Sequence, residues 1–330
     1  MNAFGRLFRV SVLGESHGEC IGAMVDGCPA GISLSAADLL PDLERRKGGA
    51  KGATPRKEDD IPLIKSGVFN GKTTGAPILI LFENKNIDSS AYEKLKNTPR
   101  PGHADLTASR KYGGFNDYRG GGHFSGRLTV ALVAAGAVAK KLLKGVGVEA
   151  KLLEAGGSKD IERALEAAMK AGDSIGGLVE CRISGLPPGL GEPFFDSAES
   201  LLAHAAFSIP AVKAIEFGAG FSCARLHGSE CNDEILNSEG KTKTNNAGGV
   251  NGGITNGNEL VFRVAVKPTA SISRPQKTVD LKTGKQAEIK VEGRHDACIA
   301  LRVPVVLEAA AAITLADLML LEQKIPRITR

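Results

Sequence analysis

Four of the six histidines sit in loops dense in glycine and charge: His17 in GESHG (14–18), His103 in RPGHAD (100–105), His123 in RGGGHFSGR (119–127) and His295 in GRHD (293–296). An imidazole titrates near pKa ~6.5 and moves protons at cellular pH. Arginines travel with these loops: Arg100 stands three before His103, Arg119 and Arg127 flank His123, and Arg294 adjoins His295. Guanidinium forks match the paired oxygens of phosphate and carboxylate. Asp105 and Asp296 lie beside the histidines and can orient a ring or act as bases themselves. The pattern points to acid–base chemistry on a ligand with several anionic groups. His204 and His227 lie in SLLAHAAF and near a turn, and read as structural.

GESHG also matches the G-x-S-x-G elbow of serine hydrolases formally, but an elbow needs a helix directly after it. ECIGAMVDGCPAGI follows instead, rich in β-branched residues, glycine and proline, and an adjacent histidine cannot readily turn back onto Ser16. His17 is therefore read as the reactive group. GVGVEA (145–150) matches the dinucleotide fingerprint but follows a helix where a strand is required, with Gly145 placed as a helix cap. A P-loop motif is absent as well.

Strands are predicted over 7–13, 76–82, 177–184 and 259–267. Ser35 and Asp38 form a capping box opening AADLLPDLERRK, which Pro41 must kink or restart. Segments 127–144 and 308–324 are helices apolar nearly all round, whereas 161–172 is amphipathic and capped by Gly172. Helices apolar on all sides need cover on more than one, which sheets on both faces supply. The fold class expected is α+β: a sandwich of antiparallel β-sheets around a central layer of helices, with an internal pseudo-repeat, in a single domain over 1–330.

The 330 residues are 42% apolar and 24% charged, ordinary for a globular chain, but contain 41 glycines, well above the usual share of about 7%. The N-terminus lacks a signal-peptide pattern, and the apolar stretch 128–139 is shorter than the roughly 20 residues a bilayer span needs. A cytoplasmic protein is expected. The six cysteines show neither C-x-x-C nor zinc-ligand spacing. A net charge of +5 is too mild to imply nucleic acid, although RRKGGAKGATPRK (45–57) forms a flexible cationic run suited to an anionic ligand, or else a solvated loop. NNAGGVNGGITNG (245–257) reads equally as a backbone approach to a flat or phosphorylated ligand and as a hairpin loop, with Lys267, Thr269 and Ser271 nearby as donors.

With these loops in hand, the sequence resembles the chorismate synthase family along nearly its whole length. The ordered blocks are FRVSVLGESHG, VDGCPAGI, DLERRKGG, RPGHADLT, KYGGFNDYRGGGHFSGR, GLPPGLGEPFFD, SIPAVKAIEFGAGF, NNAGGVNGGITNG, KPTASI and GRHDACIALRVPV. The resemblance implies a 1,4-trans elimination of phosphate from 5-enolpyruvylshikimate 3-phosphate to give chorismate, with reduced FMN required though no net redox change occurs. It implies that His17 protonates the departing phosphate, that His103 keeps the reduced flavin suitably protonated, and that Asp296 helps the flavin accept the substrate proton. It assigns Arg46, Arg100, Arg127 and Arg294 to the substrate. Flavin contacts fall on His123, Phe124, Ser125, Pro210, Ala211, Gly252, Lys267, Pro268, Thr269, Ala270, Ser271 and Arg294.

The chain departs from the family pattern in three places. His123 and Phe124 stand where an arginine and a serine are usual, Gly52 replaces a common arginine next to Lys51, and the stretch after Lys144 is short. The resemblance also implies a homotetramer, with reducing equivalents drawn from NADPH or an external flavin reductase, and neither nucleic acid nor membrane as partner. A non-catalytic module for phosphorylated ligands or RNA would account for the basic run but not for His17, His103 and GRHD. Its aromatic content of 5% without tryptophan also offers few stacking platforms. A flavin hydrolase or oxidoreductase is the further alternative.

Overall fold

The computed structural model describes residues 2–47, 59–85, 90–93, 95–291 and 296–328. Lys51, Gly52, Arg56, Lys57, Arg294 and His295 lie outside the described residues, so the expectations placed on them receive no structural account. The first sheet is built from strands β1 (Ala3–Phe4), β2 (Arg9–Gly14), β3 (Cys20–Asp26), β4 (Leu63–Ile64) and β5 (Ile78–Glu83), in the order β1-β2-β3-β5-β4. The second contains β6 (Gly147–Ala155), β7 (Gly177–Ser184), β8 (Val212–Phe217) and β9 (Leu260–Val266), ordered β8-β9-β7-β6. Every pairing in both sheets is antiparallel. The overall class is α+β, as the mixture of strand and helix patterns predicts.

Helix α1 (Leu40–Arg46) follows a short turn of 3-10 helix that Ser35 and Asp38 cap, and Pro41 sits in its first turn, where the missing N–H costs nothing. The helix is thus restarted, not broken. The rest of the helical framework comprises α2 (Asp105–Lys111), α3 (Thr129–Lys140), α4 (Ile161–Lys170), α5 (Ala198–Phe207) and α6 (Val303–Leu321). His204 lies on α5, edge-on to Phe4, and His227 precedes a single helical turn, both in structural roles. Helix α6 begins five residues before the expected start at Glu308, because Pro304 is likewise admitted in the first turn.

Helix α3 packs on α6 and on β3, while α6 packs on α3, α5 and β6. Gly136 makes the α3–α6 crossing close: a methyl added there would lie 2.5 Å from Ala309 Cα. Helix α6 is long and apolar enough to cross a bilayer, but its side chains are almost all covered by protein, the setting of a core helix. Full burial of each such Leu, Ile or Val contributes roughly 1.5–3 kcal/mol.

The two acids of α6 are buried and anchor the site's scaffold. Asp317 accepts hydrogen bonds from the backbone N–H groups of Arg6, Leu7 and Phe8 at 2.7–3.0 Å, which holds the chain entering β2. Glu308 accepts from Arg45 at 2.6 and 2.7 Å, from Lys140 at 2.8 Å and from the Ala150 N–H at 3.0 Å, tying α1, α3 and β6 to α6. Burial alone would raise the Glu308 pKa, but these cationic donors outweigh it and hold the pKa low.

Candidate active site

GESHG is the connection of a β-hairpin: Gly14 pairs with Ile21 across β2 and β3, and no helix follows. The strand–helix elbow of a hydrolase is thus absent at Ser16. The hairpin loop is closed to solvent at its centre: Ser16 and His17 are 2% and 3% exposed. Asn84, just past β5, donates to the Glu15 and Gly18 carbonyls at 3.1 and 2.9 Å and closes the loop. Tyr92 stands edge-on to the His17 ring, with centroids 5.1 Å apart.

The other wall is the segment 117–127. Gly120, Gly121 and Gly122 all have positive φ (59°, 83° and 55°), a run of conformations that residues with a Cβ rarely adopt. Space demands glycine too. A methyl on Gly120 would lie 2.5 Å from His17 Nε2 and 2.9 Å from Ser16 Oγ, and one on Gly121 would lie 3.4 Å from His103 Nε2. The turn therefore runs against both histidines, with His17 at one glycine and His103 at the next. It is stitched to the hairpin by Ser16 N–H donating to the Gly122 carbonyl (3.1 Å) and by His123 Nδ1 on the Gly14 carbonyl (2.7 Å). Gly120→Ala is expected to abolish most activity by displacing His17, while the left-handed backbone costs about 1–2 kcal/mol of stability. Chemical denaturation alongside turnover checks this; a fully active variant would mean that the close approach does not matter.

His103 is held by a carboxylate. Its Nδ1 lies 2.5 Å from Asp105 Oδ1, which assigns the Nδ1 proton to that contact and leaves Nε2 facing the glycine turn. Arg100 grips the same carboxylate through Nε and Nη2, both at 2.8 Å, and reaches Ser271 Oγ at 3.0 Å through Nη1. Burial would raise the Asp105 pKa, but hydrogen bonds from Arg100 and His103 hold it well below the usual carboxylate range. The 267–271 segment packs against this loop: Lys267 Nζ donates to the Gly102 carbonyl at 2.9 Å, and the Lys267 N–H donates to the Ala211 carbonyl at 2.9 Å. Burial, with Lys213 close by, lowers the Lys267 pKa.

Arg46 and Arg127 meet at a residue that no motif marks. Buried Asp60 accepts from Arg46 Nη2 at 2.6 Å and from Arg127 Nη1, and Arg127 Nε reaches Asn84 Oδ1 at 3.4 Å. Asp60 would have a raised pKa from burial alone, but the two guanidinium groups lower it. Arg46 is the buried end of α1, not part of a flexible run, and Arg45 beside it serves the Glu308 network. Arg46 Nε and Arg127 Nη2 are buried and lack a hydrogen-bond partner among the described residues. Arg302 lies close enough to Arg46 to disfavour its charge, and pairs with Asp296 at 3.2 Å. Arg119, by contrast, turns outward to Asp117.

The structure thus gathers His17, His103, Ser125, Arg100, Lys267 and Ser271 around the glycine turn, and Arg127, which shares Asp60 with Arg46, is joined to the His17 loop through Asn84. Ser125 caps the turn into α3, and Phe124 is part-exposed beside Tyr112, with ring centroids 6.3 Å apart. Pro210 and Ala211 lead into β8 alongside Lys267. Gly252 stands apart, in the turn of the hairpin Val250–Thr255, with no hydrogen bond to either histidine loop among the described residues. The asparagine–glycine segment is therefore a hairpin in this chain. Sequence reading missed Asp60, Asn84 and Tyr92; no motif marks Asn84, just past β5, or Tyr92, in the short helix Ser90–Glu93, and an aspartate that serves two arginines is visible only in three dimensions. GVGVEA opens β6, and Gly145 lies in a turn five residues past α3, without a following helix.

Buried arginine pairs beside two poised imidazoles define an enzyme for acid–base chemistry on a polyanion. The chorismate synthase family model matches residues 8–320. A chorismate synthase of Chitinophaga pinensis is 67% identical over 329 residues, covering 99% of each chain, and one of Thermococcus kodakarensis is 47% identical over 343 residues, covering 96% of this chain and 97% of the relative. A solved crystal structure of chorismate synthase superposes with a TM-score of 0.75 at 29% identity, covering 97% of this chain and 93% of the other. The chain belongs to the chorismate synthase family, and its activity is that family's, a lyase reaction of aromatic amino-acid biosynthesis.

Proposed function

We propose that this site removes phosphate from 5-enolpyruvylshikimate 3-phosphate by 1,4-trans elimination with His17 as the acid for the leaving group. The observation that carries this reading is the Gly120–Gly122 turn, whose successive glycines run against His17 and His103, with Arg46, Arg100 and Arg127 buried nearby. Arg46 and Arg127 retain buried N–H groups that Asp60 does not use, and these suit a phosphate or carboxylate oxygen. Arg100 spends three of its five N–H donors on Asp105 and Ser271 and so holds His103 in place, and the remaining two are the donors the substrate would meet. His17 gives its proton to the phosphate oxygen as the carbon–oxygen bond breaks. Asp296, supported by Arg302, would assist the bound flavin in taking up the proton that leaves carbon, the part the resemblance assigns to it. Arg294 is a further substrate and flavin contact on the resemblance alone.

The donors fit reduced FMN. Thr269 Oγ1 is buried without a hydrogen-bond partner among the described residues, and the Ser125 and Ser271 hydroxyls and the Lys267 ammonium stand near it in sequence or space. With Pro268, Ala270, Pro210 and Ala211, and with His123 and Phe124 in place of the usual arginine and serine, they form the flavin site we assign, to which Gly252 is added on the resemblance alone. When bound, the flavin supplies transient electron density to the reaction. The chain's residues supply position, charge and protons. His103, with its Nδ1 proton fixed on Asp105, presents Nε2 as the group that exchanges a proton in the site.

Anaerobic incubation with substrate and chemically reduced FMN is expected to release phosphate and chorismate together, and oxidised FMN to give neither. Turnover with no flavin would overturn the cofactor reading, and phosphate without chorismate would indicate hydrolysis. Arg46→Ala is expected to weaken substrate binding by about 10- to 100-fold, the loss of a charge-assisted hydrogen bond, with Arg46→Lys only partly restoring it. Equilibrium binding measures this; unchanged affinity in the alanine variant would remove Arg46 from the substrate site.

The finer architecture we propose is one domain in which α3 and α6 form a helix layer between the two sheets, each half contributing a sheet and a long helix. Helix α3 lies on β3 and α6 on β6, in support of this layering. We also assign a cytoplasmic homotetramer, supplied with reduced flavin through NADPH or a separate reductase. Sedimentation and an NADPH-oxidation assay test these two points.

A further inference from the structure

Beyond the reaction site, two half-buried cysteines stand together. Cys223 and Cys231 come from neighbouring short helical turns, Gly220–Arg225 and Gly228–Cys231, and their sulfurs are 3.5 Å apart, with Cys231 donating to Cys223. Cys28, Cys181 and Cys298 are buried, and Cys20 is the remaining partly exposed cysteine. We propose that Cys223 and Cys231 are a redox-active dithiol that reacts with low-molecular-weight disulfides to form an intramolecular disulfide. This is independent of the elimination assigned above.

A sulfur–sulfur bond is ~2.05 Å long, so the two atoms need close by only about 1.5 Å. Both cysteines lie in short surface turns, where a shift of that size meets little packing. The Cys223 thiolate, to which Cys231 already donates, attacks one sulfur of the small disulfide. That S–S bond breaks, a mixed disulfide forms, and one small thiolate leaves. The Cys231 thiolate then attacks the Cys223 sulfur and expels the second small thiolate. Two protein thiols lose two electrons and two protons, and the small disulfide is reduced to two thiols.

The location gives the bond a structural consequence. Asn246 donates through Nδ2 to the carbonyls of Glu230 and Cys231 at 3.3 and 3.1 Å, and its own carbonyl accepts from the Ala219 N–H at 2.9 Å. Asp233, two residues past Cys231, accepts from the N–H groups of Asn246 and Ala247 at 2.7 and 2.9 Å. The dithiol segment thus clamps the base of the asparagine–glycine hairpin from both sides, and a covalent link between its two turns stiffens that clamp.

The test is incubation of the full chain with oxidised glutathione, followed by alkylation and a non-reducing tryptic map. Trypsin cleaves after Arg225, between the two cysteines, so the disulfide joins peptide 214–225 to peptide 226–241 at the sum of their masses less two hydrogens. That species is expected, with Cys20 still alkylated. Cys231→Ser is expected to stop at a glutathione adduct on Cys223, because the resolving sulfur is gone. In the oxidised protein, amide exchange at Asn246 and Ala247 is expected to slow. Separate alkylated peptides from the wild-type chain, or glutathione on Cys20 with none on Cys223, would overturn the proposal. An unmodified Cys223 in the serine variant would overturn its assignment as the attacking sulfur, and unchanged exchange would overturn the clamp.

Discussion

His17→Ala is expected to slow single-turnover phosphate release by about 10²- to 10⁴-fold at saturating substrate and reduced FMN, the contribution typical of a general acid. The imidazole is buried against Gly120 and Tyr92, so alanine also leaves a cavity, and some loss of stability accompanies the loss of rate. The pH–rate profile separates the two effects, because a packing defect lowers the rate without removing an imidazole titration. His103→Ala is expected to behave differently: phosphate departure keeps its acid, whereas the bound reduced flavin changes its absorbance with pH. Near-normal single-turnover rates in both variants would return these histidines to a structural role.

Asp60→Ala is expected to lower the unfolding free energy by about 3–5 kcal/mol, the usual result of removing one partner from a buried charged pair. The side chains of Arg46 and Arg127 are 6% and 8% exposed, so water cannot readily replace the carboxylate between them. Asp60→Asn keeps the shape but not the charge, and equilibrium denaturation of the two variants separates packing from electrostatics. The acid limb tests the same group. The folded pKa of Asp60 is depressed, so its stabilisation is complete above the unfolded carboxylate value of ~3.9 and falls away as pH drops toward the lower folded value. Asp105 acts in the same direction. Asp60→Asn is therefore expected to flatten the loss of stability below about pH 4. An acid limb as steep as the wild type's would show that Asp60 is not the ionised partner of the two arginines.

Both predictions join groups of different legibility. His17, His103, Arg46, Arg100 and Arg127 are visible in the chain because glycine-rich loops and arginine forks are local features. The strands at 177–184 and 260–266, the Ser35–Asp38 capping box and the apolar character of α3 and α6 are local as well, and the sequence by itself determined them through side-chain period and capping chemistry. Pairing was not local. That Gly120 must leave room for His17, that Asp60 stands between arginines 14 and 67 residues away, and that Asp317 secures residues 6–8 from more than 300 residues along the chain follow only from how the sheets and helices pack. Glycine signals a turn at the loop holding His17, but only the neighbouring turn and Asn84 decide that it is buried. The sequence marked the candidate groups and the elements that carry them. Tertiary structure decided which charges are neutralised and which N–H groups stay unused, because burial and charge compensation depend on partners that sequence distance does not reveal.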